Sequence, residues 1–231
     1  MNASVPIQAA APAAAANRRS AQGGADLLLV AGIVMLVNLP LLAGRSIEPM
    51  IFLPAAVAQG EWWRVLTFPF AHVSLYHLAL DAGAFLMLYH GMRDVGSPRR
   101  AAIAATAAAG SLAAAFLSTG FGERGLCGLS GPAHGLMAAT GLELIRSGAD
   151  RGLRRVGWIS LALVTGKSAV EAATGSVFLA DLHFGNVGAP VALCHLGGVA
   201  GGALAWAAGT LAGRGTASRN TGGGPNAHAK A

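Results

Sequence analysis

The chain has 231 residues, of which 54% are hydrophobic and 11% charged, and its mean hydropathy is +0.54. That is too apolar and too charge-poor for an ordinary soluble domain and points to a protein of the bilayer. The formal charge is +6, but the basic residues lie scattered between apolar runs, with no basic stripe or interleaved aromatics, which argues against nucleic acid as a partner. Two cysteines, Cys127 and Cys194, are too few for a disulfide framework and have no metal-site spacing.

In chain order, residues 1–24 are Ala-rich, with Pro, Gln and Asn, and read as a disordered N-terminal tail. Arg18 and Arg19 precede an apolar run from Leu27 to Ala43. No small-x-small cleavage site follows it, so it reads as an uncleaved first span rather than a signal peptide. Residues 45–71 are mixed, and the pair Trp62–Trp63 marks them as an interfacial loop, since tryptophans favour the headgroup level. Further apolar runs follow at about 73–92, 101–119, 130–145, 153–175 and 189–212, which with the first makes six. Each is near the roughly 20 residues that a crossing helix needs. Residues 214–231 are rich in Gly, Thr and Asn and read as a second disordered tail. The expected fold is an all-α membrane protein, with one six-span domain over residues 25–213.

Orientation follows from Lys and Arg counted on alternating sides. Twelve fall on one side, from Arg18 and Arg19 through Arg93, Arg99 and Arg100, Arg146 to Arg155, and Arg214 to Lys230. Only Arg45, Arg64 and Arg124 fall on the other, while Lys167 lies within a span. By the positive-inside rule both termini are expected in the cytoplasm, as an even number of spans requires.

On that topology, His72, His77 and Asp81 lie at the outer end of the second span, and Ser130 and His134 in the first turns of the fourth. His195 lies about five residues into the sixth, ~7–8 Å deep at the helical rise. Ionisable side chains inside a bilayer are costly and usually face a bundle interior or a water-filled cavity, so this shared depth marks a candidate site. The stretch CGLSGPAHG, Cys127 to Gly135, is central to it. Taken alone, Ser130 followed by Pro132 is a capped helix start. After His195, Gly198 and Gly202 have the small-xxx-small spacing that lets two helix backbones approach closely. If the partner is the fourth span, with Gly128, Gly131 and Gly135, His195 comes within reach of Ser130. A serine beside a histidine is the minimum for nucleophilic acyl transfer. Backbone N–H groups at the start of the fourth helix would supply an oxyanion stabiliser.

GEWWRVLTFPFAH in the first loop, HLALD at 77–81, GLSG at 128–131 and HLGGVAGG at 195–202 together resemble the rhomboid intramembrane serine proteases, over roughly residues 45–205. The resemblance implies a rhomboid-like bundle and a Ser–His dyad, with Ser130 as nucleophile and His195 as general base. It also implies His77 as an oxyanion-hole donor, with Asp81, Leu129 and His134 on the oxyanion or supporting side. Gly128, Gly131, Gly198 and Gly202 take close-packing roles, and neither a cofactor nor a metal is implied. GLSGPAHG, together with Lys167 and Glu171 four residues apart, is similar to the bacterial rhombosortases. That likeness implies a multi-pass inner-membrane enzyme with its site near the periplasmic face. Its substrates would be membrane-anchored proteins carrying a C-terminal Gly-Gly signal, a transmembrane helix and a basic tail.

Six residues stay open. Rhomboids usually have asparagine where this chain has Asp81, and an ionised carboxylate cannot donate to an oxyanion. Asp81 therefore either holds His77 in its donor form or is itself protonated and donates. His134 either orients His195 by a hydrogen bond or packs against it. Lys167 and Glu171 form either a neutralising pair on one helix face or a recognition site for a substrate terminus. Cys127 and Cys194 read as packing cysteines, with a disulfide as the alternative. Other functions in play are a generic rhomboid protease, an inactive rhomboid-like binding protein, and a metal protein using His72, His77, His134 and His195, although no HExxH occurs. Neither internal repeats nor matching broken spans suggest a transporter.

Overall fold

The computed structural model of the protein describes residues 10–92, 95–178 and 184–221, with side chains between Gly24 and Gly213 of that set. Arg93, Lys230 and tail residues 1–9 and 222–231 lie outside the described residues, as do the side chains of Arg18, Arg19, Arg214 and Arg219. The chain forms α1 (Ala10–Leu42), the short loop helices α2 (Pro54–Ala58) and α3 (Arg64–Thr67), then α4 (Leu75–Gly91) and α5 (Ser97–Ala115). The one-turn α6 (Phe121–Arg124) follows, then α7 (Ser130–Ser147), α8 (Arg151–Thr174) and α9 (Leu193–Thr221). The described residues contain no strand, only one antiparallel bridge, Phe52 with Leu126, which ties the first loop to the entrance of α7.

The long helices fall on the six apolar runs. By length and composition, Gly24–Leu42 and Leu193–Gly213 suffice to cross a membrane, and Arg64–Phe70 bent by 88° onto α4 makes a third candidate. The rest fall short because α5, α7 and α8 spend positions on small residues and on charges such as Glu143, Lys167 and Glu171. Leu28, Leu36, Met87, Leu163 and Leu204 face outward and are exposed, forming an apolar surface suited to lipid rather than water. This is an all-helical membrane bundle. Helix also runs into both stretches read as tails, from Ala10 and as far as Thr221. The alanines that looked like low-complexity disorder at the N-terminus are also the strongest helix formers.

α9 packs mainly on α5 and α7. Its glycines make this closeness physically possible. A Cβ at Gly198 would strike the Gly131 carbonyl, and one at Gly202 the Gly135 backbone, while Gly197 and Gly201 abut the α5 backbone at Gly110 and Thr106. Gly198 and Gly202 thus bring the α9 backbone onto α7. Gly141 and Gly157 do the same for α7 and α8.

The two ends of the bundle differ in chemistry. At the arginine-rich end, Arg100 binds Asp26 and lies over the Tyr89 ring, 4.6 Å from its centroid, tying α5 to α1 and α4. Arg99 there donates to Thr210 Oγ1 at 2.6 Å, and Trp206 Nε1 donates to Glu143 at 2.8 Å. At the opposite end the first loop folds around Arg64, which is buried and donates to the Glu48 and Ile51 carbonyls at 2.6 and 2.7 Å. Trp62 is 71% exposed on that loop, as a headgroup-level anchor should be.

Candidate active site

Ser130 is the first residue of α7, but its hydroxyl does not cap the helix. The N-cap position is Leu129, which makes no side-chain cap bond. The Ser130 N–H instead donates across the bundle to Asp81 Oδ2 on α4, at 3.0 Å. Capping by a distant carboxylate leaves Oγ unused for that purpose, and it lies 3.1 Å from His195 Nε2. Leu129 itself is buried, with backbone angles of −90° and 0°, and its carbonyl receives the Ala133 N–H.

On the far side of the His195 ring, Nδ1 is 2.6 Å from Glu171 Oε2. A carboxylate only accepts, so the ring proton sits on Nδ1 and Nε2 offers its lone pair to Ser130. The Glu171 side chain is fully buried, and its other oxygen accepts from Lys167 Nζ at 2.7 Å and from the Phe178 N–H at 2.8 Å. Lys167 Nζ also reaches His134 Nε2 at 3.0 Å. His134 Nδ1 in turn donates to the Ser130 carbonyl at 2.7 Å. The hydrogen bonds thus form a closed ring that leaves Ser130 by its hydroxyl and returns by its carbonyl, and every tautomer in it is set by a neighbour that can only donate or only accept. His134 stacks parallel on His195, with centroids 4.1 Å apart and planes 8° apart. Packing rather than a direct hydrogen bond is therefore its relation to His195.

A second histidine–carboxylate pair faces the opposite side of Ser130. His77 Nδ1 accepts the Val73 N–H at 3.4 Å, which leaves the proton on Nε2, 3.0 Å from Asp81 Oδ2. That oxygen is the same one that receives the Ser130 N–H, so two donors from different helices converge on one carboxylate oxygen. Ser74 caps α4 by accepting the His77 N–H at 3.0 Å. Gly128 makes the approach feasible: its φ is +99°, and a Cβ would lie 2.6 Å from Asp81 Oδ2 and 2.9 Å from His77 Nε2. His72 is fully buried, with Nε2 3.8 Å from Asp81 and its backbone N–H on Asn38 Oδ1 at 3.0 Å.

A family model described as Rhomboid domain matches residues 59–211, two-thirds of the chain, spanning every residue of both pairs. The chain belongs to the rhomboid family, a family of intramembrane serine proteases. No curated protein and no solved structure matches it.

A cavity of about 450 Å³ opens against the site of this rhomboid, touching Ser130, His195, His77 and Lys167 and walled by apolar residues such as Val73 and Phe178. Cys127 and Cys194 also line it, both as free thiols. Burial, with Asp81 and Cys194 nearby, pushes the Cys127 thiol up to about 12, so it stays protonated and does not compete as a nucleophile. The four histidines divide into two groups rather than converging on one metal site. Side-chain ligand atoms of His134, Glu171 and His195 do lie within 4.8 Å of one another. The Lys167 ammonium already bonds two of those three, His134 and Glu171.

Sequence reasoning paired Lys167 with Glu171 but missed that Glu171 also holds His195. The four-residue spacing put both on one face of α8 and contained no information about which neighbour that face meets. Nor was there any signal for the Phe178 N–H or for Asp81 as a cap on α7.

Proposed function

We propose that this rhomboid is an active intramembrane serine endopeptidase, with Ser130 as nucleophile and His195 as general base. The observation that carries the reading is the 3.1 Å approach of Ser130 Oγ to His195 Nε2, between residues 65 apart in sequence, at the wall of a cavity. Oγ attacks the scissile carbonyl carbon while Nε2 takes its proton. As the C–N bond breaks, the imidazolium returns that proton to the leaving amine. Water then repeats the sequence on the acyl-enzyme, giving a proton to His195 and releasing the new carboxyl terminus and Ser130. The oxyanion is held by the Ser130 N–H and His77 Nε2–H, whose meeting point is 3.0 Å from each, within the distance that oxyanion stabilisation requires. Asp81 holds His77 as a donor in the resting site and yields that point when substrate arrives.

The six apolar runs and the arginine bias support six spans with cytoplasmic termini, and the likeness to rhombosortases supports a site near the periplasmic face of a bacterial inner membrane. Likeness to rhombosortases supports a sortase-like removal of C-terminal Gly-Gly signals from membrane-anchored proteins. A binding-only relative is the second reading, favoured by one observation: a carboxylate already fills the oxyanion position. Labelling by a fluorophosphonate separates the two. Labelling that disappears in Ser130→Ala supports the protease, and a wild-type protein that never labels sinks it. Cleavage in proteoliposomes that is indifferent to replacing Gly-Gly by Val-Val would remove the sortase-like specificity and leave a generic rhomboid.

A further inference from the structure

The resemblance to rhomboids implies two catalytic side chains; the geometry points to a third group acting with them. We propose that Glu171 is the positioning carboxylate of a Ser130–His195–Glu171 triad, and that Lys167 orients it. The proposal rests on the protease reading above.

Three observations support it. Glu171 Oε2 meets the ring nitrogen of His195 that faces away from Ser130, at 2.6 Å, so it decides which nitrogen stays free to accept the serine proton. The carboxylate cannot swing away, because its other oxygen is held by Lys167 Nζ and by the Phe178 N–H. Burial is also unequal: the Lys167 side chain is 35% exposed and the Glu171 side chain not at all. A pair serving only to neutralise a buried lysine would place the lysine inside, whereas here the carboxylate is sealed in and the ammonium faces the cavity. Burying a carboxylate costs several kcal/mol unless charged and hydrogen-bonded partners compensate, and here every partner also fixes its aim at His195. When His195 takes the Ser130 proton, both ring nitrogens carry hydrogen and the new positive charge lies at hydrogen-bond distance from the negative Glu171 carboxylate. No atom leaves Glu171, and it takes no proton itself.

Lys167 and His134 complete the arrangement. The ammonium spans from Glu171 to His134, and His134 bonds the Ser130 carbonyl while stacking on His195. The ring that must change charge is therefore bounded by its carboxylate at one edge and by a flat neighbour on one face.

The test uses the full chain in detergent or proteoliposomes, reading fluorophosphonate labelling rate and kcat and KM on a cleaved transmembrane substrate. Glu171→Gln keeps the size and loses the charge; kcat is expected to fall by about 10²–10⁴-fold with KM little changed, on the scale of carboxylate-to-amide replacement in serine proteases. The double variant Lys167→Met/Glu171→Gln distinguishes the roles. If Glu171 serves only to neutralise Lys167, removing both restores turnover, and the proposal falls. If it positions His195, the double variant stays as slow as Glu171→Gln while its thermal unfolding shows a folded protein. Wild-type turnover in Glu171→Gln also overturns the triad. A wild-type protein without Ser130-dependent labelling would overturn the protease reading itself, so the two failures are told apart.

Discussion

Two histidine–carboxylate pairs flank Ser130, alike in composition and opposite in placement. His195 and Glu171 come from α9 and α8, and the imidazole lies between the carboxylate and the serine. His77 and Asp81 are one turn apart on α4, and there the carboxylate itself reaches the serine backbone. What differs is the order of groups outward from Ser130. On the proposed protease reading, a carboxylate behind the ring strengthens a base, whereas a carboxylate in front of it occupies the point where negative charge would develop. The same pair of residue types therefore prepares a proton acceptor on one side and a competing anion on the other.

The comparison can be broken most severely on the base side. Ser130→Ala or His195→Ala is expected to cost about 10⁶-fold in kcat, the scale for removing a serine-protease nucleophile or base. Substrate cleavage in proteoliposomes measures it, and residual turnover near wild type would reject the assignment. On the anion side, His77→Ala removes one donor and leaves the base intact, with about 10²–10³-fold lost in kcat. Gly198→Val acts on the base side by geometry alone. Its side chain meets the Gly131 carbonyl and pushes α9 from α7, lengthening the serine–histidine contact while α4 keeps His77 and Asp81. About 10²-fold in turnover should go with a displacement near 1 Å, and overpacking should lower stability by about 1–3 kcal/mol, read as a fall in Tm. Asp81→Asn gives the smallest change and the opposite sign. The amide no longer competes as an anion and brings an N–H of its own, so kcat should rise on the order of tenfold, the worth of one charge-assisted hydrogen bond. A fall in kcat would mean that the carboxylate is required and that the two pairs are not opposed.

Much of the site was legible before any coordinates. Ser130, His195 and the glycines after it stand in local patterns whose meaning depends on helix start, helix depth and small-residue spacing. The same is true of the i, i+4 relations His77–Asp81 and Lys167–Glu171, because helical geometry alone brings such residues together. The alternative reading of Ser130 as a cap was also local, and the α7 N-terminus is instead met by Asp81, 49 residues away. Composition alone also does not separate disorder from a helix of strong formers, and α1 begins within the Ala-rich stretch at Ala10.

By itself, then, the amino-acid sequence determined the membrane class, the positions of the long helices and the one-turn pairs His77–Asp81 and Lys167–Glu171. All of these follow from periodicity, hydropathy or spacing along one or two helices. Only the tertiary structure decided that Glu171 turns to His195, that Asp81 meets the Ser130 N–H and that His134 stacks while bonding elsewhere. Those outcomes depend on the rotation of each helix about its axis relative to its neighbours. That rotation is set by close packing across several helices at once, with the glycine contacts allowing the approach and the buried polar groups requiring partners.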